Sequence, residues 1–317
     1  VIGRAALLSL GALAVLAACG KPKAERLAEA QPPECPVMPA ADYVWIPGAT
    51  FTMGADATLP EEAPARTVTV KGFWMATHEV TNAEFAEFVK ATGYKTLAEK
   101  DPPRLPGAPP EMLVPGSAVF AAPTDGNPNW WRWVVGAEWR HPEGPKTGIA
   151  DRDRDPVVQV GFDDALAYAR WRGKALPSEE QWELAAATGG ARRDVPVDAD
   201  GRPLANYYQG VFPVRDLGTD GFRGRAPVAC FPADSHGVHD LIGNVWEWTT
   251  SALDTDRPDP DRNVIKGGSF LCAANYCARY RPAARQFQER SLGTDHIGFR
   301  LIDTTRPPPP DQQPAQR

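Results

Sequence analysis

The sequence predicts a single α+β domain in which short strands and a few helices are set in a large amount of ordered loop. Three observations carry that prediction. The strand-prone runs are brief and are punctuated by Gly and Pro, of which the chain has 28 and 33. Two capping-box patterns open short amphipathic helices. Ten Trp and a hydrophobic content of 43% supply a core even through Pro-rich stretches, because segments that stay unfolded are poor in aromatics. No tandem repeat or internal linker divides the body, so one domain is expected over 43–303.

The chain opens with VIGRAALLSLGALAVLAACGK. Its apolar run, Ala5 to Ala18, is shorter than the roughly 20 residues a spanning helix needs, and follows a basic Arg4. It reads as a signal peptide over 1–18. Leu16-Ala17-Ala18-Cys19 fits a bacterial lipobox, which makes Cys19 the expected lipidated first residue and 19–42 a tether. The alternative is an ordinary signal cleaved at the small residues. Dual acylation anchors a protein stably, so the expected location is the cell envelope, lipid-anchored and periplasm-facing.

The body begins with VWIPGATFTMG (44–54), read as strand, Pro47-Gly48 turn, strand. RTVTVKGFWMATHEV (66–80) alternates Val68, Val70 and Phe73 and is strand-like. In TNAEFAEFVKATG, Thr81 and Glu84 form a capping box, Phe85, Phe88 and Val89 share one face, and Gly93 stops the helix. Residues 97–155 are irregular, but four Trp between 130 and 139 mark the stretch as packed. DPVVQVGFDDALAYARWRGKALPSEEQWELAAATGG (155–190) reads as strand, helix, turn, helix. Ala165, Ala169 and Trp171 are expected to face inward and Gly173 to end the first helix. Ser178 and Gln181 open the second, which carries Trp182 and Leu184. Short strands follow in APVACF, GNVWEWT, NVIKGGSF and HIGFRLI. The tail 304–317, with RPPPPDQQPAQR, has no apolar anchors and is expected to be disordered. A net charge of -6 argues against nucleic acid as a partner.

With Cys19 lipidated, Cys35, Cys230, Cys272 and Cys277 remain, enough for two disulfides in an oxidising compartment. Cys272 and Cys277 have four residues between them in SFLCAANYCARYR, beside Arg279 and Arg281, which favour thiolate. The spacing is open to a small disulfide, a metal clip or a redox pair. For Cys35 and Cys230, a disulfide and free buried thiols are equally open. Asn206 and Asp220, in NYYQGVFPVRDLGTDGF, suit either Asx turns or a hard cation that takes oxygen ligands. His236 and His239 have no third His nearby and do not make a metal pair.

Taken together, FTMG, EAPARTVTV, EVTNAEF, TGYKTLAE, WRHPEGP, DPVVQVGFDDALAYARWRGKALPSEEQWE, GNVWEWT, KGGSFLCAANYCARYRPAAR and HIGFR resemble the formylglycine-generating enzyme (sulfatase-modifying factor) family. The resemblance runs from Val44 to Leu301, and WRHPEGP with the Cys-x4-Cys segment points to its enzymatic branch. It implies the formylglycine-generating-enzyme fold, related to C-type lectins, with low regular secondary structure. The implied activity is copper-dependent aerobic oxidation of a peptide cysteine to Cα-formylglycine in sulfatase precursors bearing Cys-x-Pro-x-Arg. Cys272 and Cys277 would hold Cu(I), a soft ion suited to thiolates, with O2 as co-substrate. Ser269, Trp246 and Tyr276 would line the pocket and Arg285 would sit beneath it. The family pattern also implies structural Ca2+ at two sites. One uses Asn206 and Asp220 with the carbonyls of Tyr207 and Phe222, the other Asp240 and Glu247 with the carbonyls of Gly243 and Val245.

Two departures bear on substrate choice. Ala273 follows the first thiol where close relatives often have His, and His296 precedes the last strand where many have Asn. There is no His-x3-His-x-Glu iron motif, which weighs against the ergothioneine-type sulfoxide synthases of the same fold. The competing readings are a non-catalytic envelope lipoprotein, acting as scaffold or peptide-binding module, and an oxidase of some other thiol target.

Overall fold

The computed structural model describes residues 34–102, 107–190, 195–252 and 259–312; the signal segment 1–18 and Cys19 lie outside the described residues. In chain order the elements are β1 (Tyr43–Ile46), β2 (Ala49–Met53), β3 (Arg66–Val70), β4 (Phe73–Ala76), α1 (Asn82–Thr92), β5 (Gly116–Phe120), β6 (Trp131–Val135), α2 (Phe162–Trp171) and α3 (Glu179–Gly189). These are followed by β7 (Gly210–Val211), β8 (Arg215–Asp216), β9 (Trp246–Ala252), β10 (Arg262–Lys266), β11 (Arg285–Glu289), β12 (Ile297–Gly298) and β13 (Ile302–Asp303).

β1 and β2 are not partners, although the sequence suggests strand, turn, strand. β1 pairs with β4, and β13 takes the other edge of β4; β2 pairs with β3. Gly48 and Gly72 permit the split. A Cβ on Gly48 would press on the Gly72 backbone, and one on Gly72 would enter the Trp45 ring. The two turns are packed against each other, so each strand finds its partner across the crossing. The second main sheet has the order β11-β10-β9-β12, with β12 parallel to β9 and the other pairs antiparallel.

The helices form where the capping boxes place them. Thr81 Oγ1 accepts from the Glu84 N–H while Glu84 accepts from the Thr81 N–H, and Gly93 closes α1 at φ 65°. Ser178 and Gln181 do the same for α3. Phe85, Phe88, Tyr168, Trp139 and Phe299 meet in one aromatic core, with ring centroids 5.2 to 6.5 Å apart around Phe85. Full burial of each such side chain contributes roughly 1.5–3 kcal/mol. Ala165 and Ala169 are fully buried, but Trp171 is 38% exposed. It lies two residues past Ala169, about 200° round the helix, and packs against the outer faces of Phe88 and Tyr168.

Four other expectations change. DPVVQV is buried but not a strand: Val157 N–H donates to Val80 O and Gln159 N–H to Thr294 O, so its bonds go to two different segments. Gln159 itself has φ 60°. APVACF is a loop, with Ala229 at φ 56° and its N–H held by Asp240 Oδ2 at 2.7 Å. The irregular 97–155 stretch contains the β5–β6 hairpin. Residues 304–312 are not disordered, because the Arg306 guanidinium stacks over Trp74 at 4.9 Å and the Trp74 indole donates to Pro307 O. Residues 313–317 lie outside the described residues. Cys35 and Cys230 form a disulfide across 195 residues, which decides between the two open alternatives.

Candidate active site and metal sites

β10 delivers the chain into the thiol segment through Gly267 and Gly268, both left-handed, at φ 98° and 75°. A Cβ on Gly268 would lie 2.8 Å from Arg279 O and 3.3 Å from Cys272 Sγ, so only glycine lets the two arms of the loop close. Ala273 and Tyr276 exchange backbone hydrogen bonds of 2.8 and 3.0 Å, and Cys277 follows in the left-handed region at φ 63°. This turn brings Cys277 Sγ to 3.2 Å from Cys272 Sγ without a bond between them. Cys272 is buried and Cys277 partly open.

The two thiols differ electrostatically. Burial, and then the neighbouring sulfur, pushes Cys272 well above the usual thiol range. Cys277 is drawn down to about 7, first by its contact with Cys272 and, against the effect of burial, by the Arg279 guanidinium. Arg279 donates Nη1 to Cys277 Sγ at 3.4 Å and Nη2 to Glu61 Oε1 at 2.6 Å. Glu61 sits in the loop between β2 and β3, which clamps the thiol segment. Arg281 binds Glu62 at 2.6 Å and Asp56 O at 2.6 Å, and Asp56 Oδ1 accepts from Ala283 N–H. The 56–62 segment, which ends on the first residue of EAPARTVTV, is thus the far side of the thiol site, a role its local sequence gave no sign of.

The thiols border a cavity of about 450 Å³. Ser269 and Trp246, both buried, line it, as do Tyr276, Arg285 and His296. Ser269 Oγ accepts from the Leu271 N–H, which leaves its own proton free to donate. Tyr276 is 46% exposed and stacks on Phe212 at 4.5 Å. Arg285 is fixed by Glu179 at 2.8 Å, and Glu179 is in turn 3.6 Å from the fully buried Lys266. His296 is held neutral by burial, which lowers it to about 3, and its Nδ1 meets Thr294 Oγ1 at 2.6 Å.

WRHPEGP supports this wall from behind: Glu143 binds Arg225 at 2.6 Å, and Arg225 donates to Asp295 O at 2.9 Å. The Asp295 carboxyl is buried, with Oδ2 accepting from Phe120 N–H and Oδ1 without a hydrogen-bond partner. Burial raises it from 3.8 to about 7, against the pull of Arg225. A raised folded value means the folded chain holds this proton more tightly than the unfolded chain. The resulting stabilisation is complete below pH 4 and is lost as pH rises through about 7, to a total on the order of 4 kcal/mol. Asp295→Asn should flatten that part of the profile in urea titrations between pH 4 and 8; an unchanged slope would remove Asp295 as its source.

Of the residues expected at the first calcium site, Asp220 Oδ2 and the Tyr207 carbonyl converge, since Gln209 Nε2 contacts both. An amide N–H2 group there bridges two oxygens as a cation would. Asp220 is raised to about 6 by burial, and Phe222 contributes its N–H to Asp220 Oδ1. Asn206 donates Nδ2 to Gly224 O and to Asn244 Oδ1. The Asp220 carboxylate and the Tyr207 carbonyl are oxygens of the kind a hard cation takes, whereas Phe222 turns its N–H, not the expected carbonyl, to Asp220.

At the second expected site, Glu247 is already saturated. Its two oxygens take Arg300 at 2.6 and 2.6 Å and the Trp182 indole at 2.7 Å. Asp240 Oδ2 accepts from Ala229 N–H, in the turn that contains Gly243 (φ 79°) and Val245. Sequence reasoning missed Glu79. It is fully buried, its Oε2 has no hydrogen-bond partner, and burial with the Asp240 charge raises it well above the carboxylate range. Among the described residues no three His, Cys, Asp or Glu side chains form a metal-holding group, so a cation at either place would need carbonyls and amides.

Residues 28–305 match the family described as Sulfatase-modifying factor enzyme 1-like domain. The chain is 47% identical to the formylglycine-generating enzyme of Mycobacterium tuberculosis H37Rv, over 82% of this chain and 97% of that protein. It is 38% identical to the inactive C-alpha-formylglycine-generating enzyme 2 of Mus musculus, over 84% and 90%. Among solved structures, PvdO from Pseudomonas aeruginosa superposes with a TM-score of 0.58 at 24% identity, covering 82% of this chain and 93% of that one. That likeness shows a shared fold.

Proposed function

Because the chain belongs to the formylglycine-generating enzyme family, we propose that it oxidises a polypeptide cysteine to Cα-formylglycine, with Cu(I) held by Cys272 and Cys277 and with O2 as oxidant. The carrying observation is the pair of unbonded sulfurs 3.2 Å apart at the wall of an open cavity. Thiolates select Cu(I), which would supply a soft position for the substrate sulfur and one-electron chemistry with O2. The carbon gives up two electrons in going from thiol to aldehyde, and O2 takes four in going to water. A thiol reductant supplies the other two, and the substrate sulfur leaves as hydrogen sulfide.

The chain's own groups prepare the site. Arg279, held by Glu61, stabilises negative charge at Cys277. Ser269 has a hydroxyl proton to offer inside the cavity, and Trp246 keeps water from the buried side. Tyr276 presents a ring at the mouth, and Arg285 adds fixed positive charge. A sulfatase precursor carrying Cys-x-Pro-x-Arg is the substrate this reading expects. Cys19 lipidation and an envelope location belong to the same proposal and are supported by the Leu-Ala-Ala-Cys stretch.

The direct test loads the full chain with Cu(I) under a thiol reductant, adds O2 and a Cys-x-Pro-x-Arg peptide, and follows the peptide cysteine by mass spectrometry. An aldehyde product supports the reading. Stoichiometric copper binding without conversion would reject this substrate, and no copper binding would reject the oxidase. The non-catalytic reading keeps a foothold in the relative named inactive, and the same assay separates the two.

We propose further that Ca2+ sits between Asp220 and the Tyr207 carbonyl, with Asn206 and Phe222 around it, and that Glu79 joins Asp240 at a second site. Chelation by EGTA should lower the thermal midpoint by several degrees, and Ca2+ but not Mg2+ should restore it, since Ca2+ suits irregular oxygen cages. An identical midpoint with and without chelator would sink both sites.

A further inference from the structure

The β7–β8 hairpin and its exit leave Val211, Val214 and Leu217 exposed by 62%, 72% and 48%. Three apolar side chains within seven residues make a patch, whereas single ones are ordinary. The hairpin is fixed in this pose: Gly210 has its backbone against Arg215, and Asn275 of the thiol segment holds both the N–H and the carbonyl of Phe212. Phe212 faces the thiol cavity, where it stacks on Tyr276. Val214, just past it, lines a second cavity of about 290 Å³. Leu271 borders both cavities.

The second cavity has an apolar floor of Phe120, Tyr208 and Phe270 and a basic mouth. Arg215 and Arg223 stand exposed at that mouth, and neither is ion-paired among the described residues. Asp216 also lines this cavity, with Oδ1 accepting from the N–H groups of Gln209 and Gly218, and offsets part of the Arg223 charge, leaving one cation in excess. A basic mouth on a chain of net charge -6 runs against the overall charge and complements a carboxylate.

We propose that this second cavity is a docking subsite for the substrate polypeptide, taking an apolar side chain with an adjacent carboxylate a few residues from the reacting cysteine. The inference rests on the reading that a polypeptide is the substrate; it adds that recognition extends past the reacting motif. The shared border at Leu271 favours one chain lying across both, and Val214 would cover its apolar side chain.

The test uses a short fluorescent peptide with Ser replacing the reacting Cys, and extended versions bearing a Leu-Asp pair at successive positions on either side. Binding to the full chain is read by anisotropy, and turnover separately on the Cys forms. One placement should tighten binding about tenfold, as expected for burying one apolar side chain. Val214→Asp and Arg223→Glu should each remove most of that gain while binding the short peptide as before. No favoured placement, or a gain that survives both substitutions, would overturn the subsite. A gain in binding without turnover of any peptide would leave the subsite standing and reject the oxidation.

Discussion

Cys277→Ser should abolish peptide oxidation, by at least about 10³-fold, while leaving the thermal midpoint within a few degrees. The side chain is partly open and makes only two polar contacts, with Cys272 and Arg279, so little of the fold depends on it. A hydroxyl is a hard, weakly acidic group and cannot replace a thiolate toward Cu(I). Copper titration should therefore show a weakened site in parallel with the lost rate. Cys272→Ser should have the same kinetic effect with a larger loss of stability, because that sulfur is buried in the core cluster. Turnover at the original rate in either variant would remove the thiol pair from the chemistry.

The second large effect concerns Arg300, whose side chain is fully buried. It donates to both oxygens of Glu247 and to His239 O, inside a group that also holds Glu79 and Asp240. Arg300→Met should destabilise the chain by about 3–5 kcal/mol, since removing one partner leaves buried charge uncompensated. The pH dependence identifies the cause. In the calcium-free chain all three carboxyls already have raised folded values, chiefly from burial. Without Arg300 they rise further, so the variant's loss is smallest below the ordinary carboxylate value and grows as pH climbs above it. Urea midpoints at pH 4.5 and 8 should therefore differ more in Arg300→Met than in the parent. A uniform loss at both would point to packing alone.

The helices were legible because their signals are local. Thr81 with Glu84 and Ser178 with Gln181 lie within one turn, and Gly93 and Gly190 adopt the left-handed caps that glycine favours. The strand runs were legible, but their pairing was not. Whether β2 meets β1 or β3 depends on the packing of Gly48 against Gly72 and Trp45, which no residue signals alone. DPVVQV has strand composition and fails as a strand because Gln159 turns left-handed and its neighbours bond to different segments. The tail looked free because its anchor is a cation over an indole, not an apolar side chain.

At the candidate site, the spacing singled out Cys272 and Cys277, the family resemblance added Ser269, Trp246, Tyr276 and Arg285, and all six line one cavity. What it left unseen are partners distant in the chain. Glu61 reaches Arg279 across 218 residues, and Glu62 reaches Arg281 across 219. Glu79 carried no local mark at all, being one acid in an ordinary helix approach until burial and the nearby Asp240 gave it meaning. Asp240 and Glu247 look alike in sequence, yet Arg300 claims only the second in a bidentate pair.

The Cys35–Cys230 bond also has a mechanical meaning. Tension arriving along the chain from upstream of residue 35 passes through that bond to Cys230 and bypasses residues 36–42 and β1. Its point of entry is next to Ala229, whose N–H is held by the buried Asp240. The force thus enters the body beside the buried Asp240 and not through the first strand.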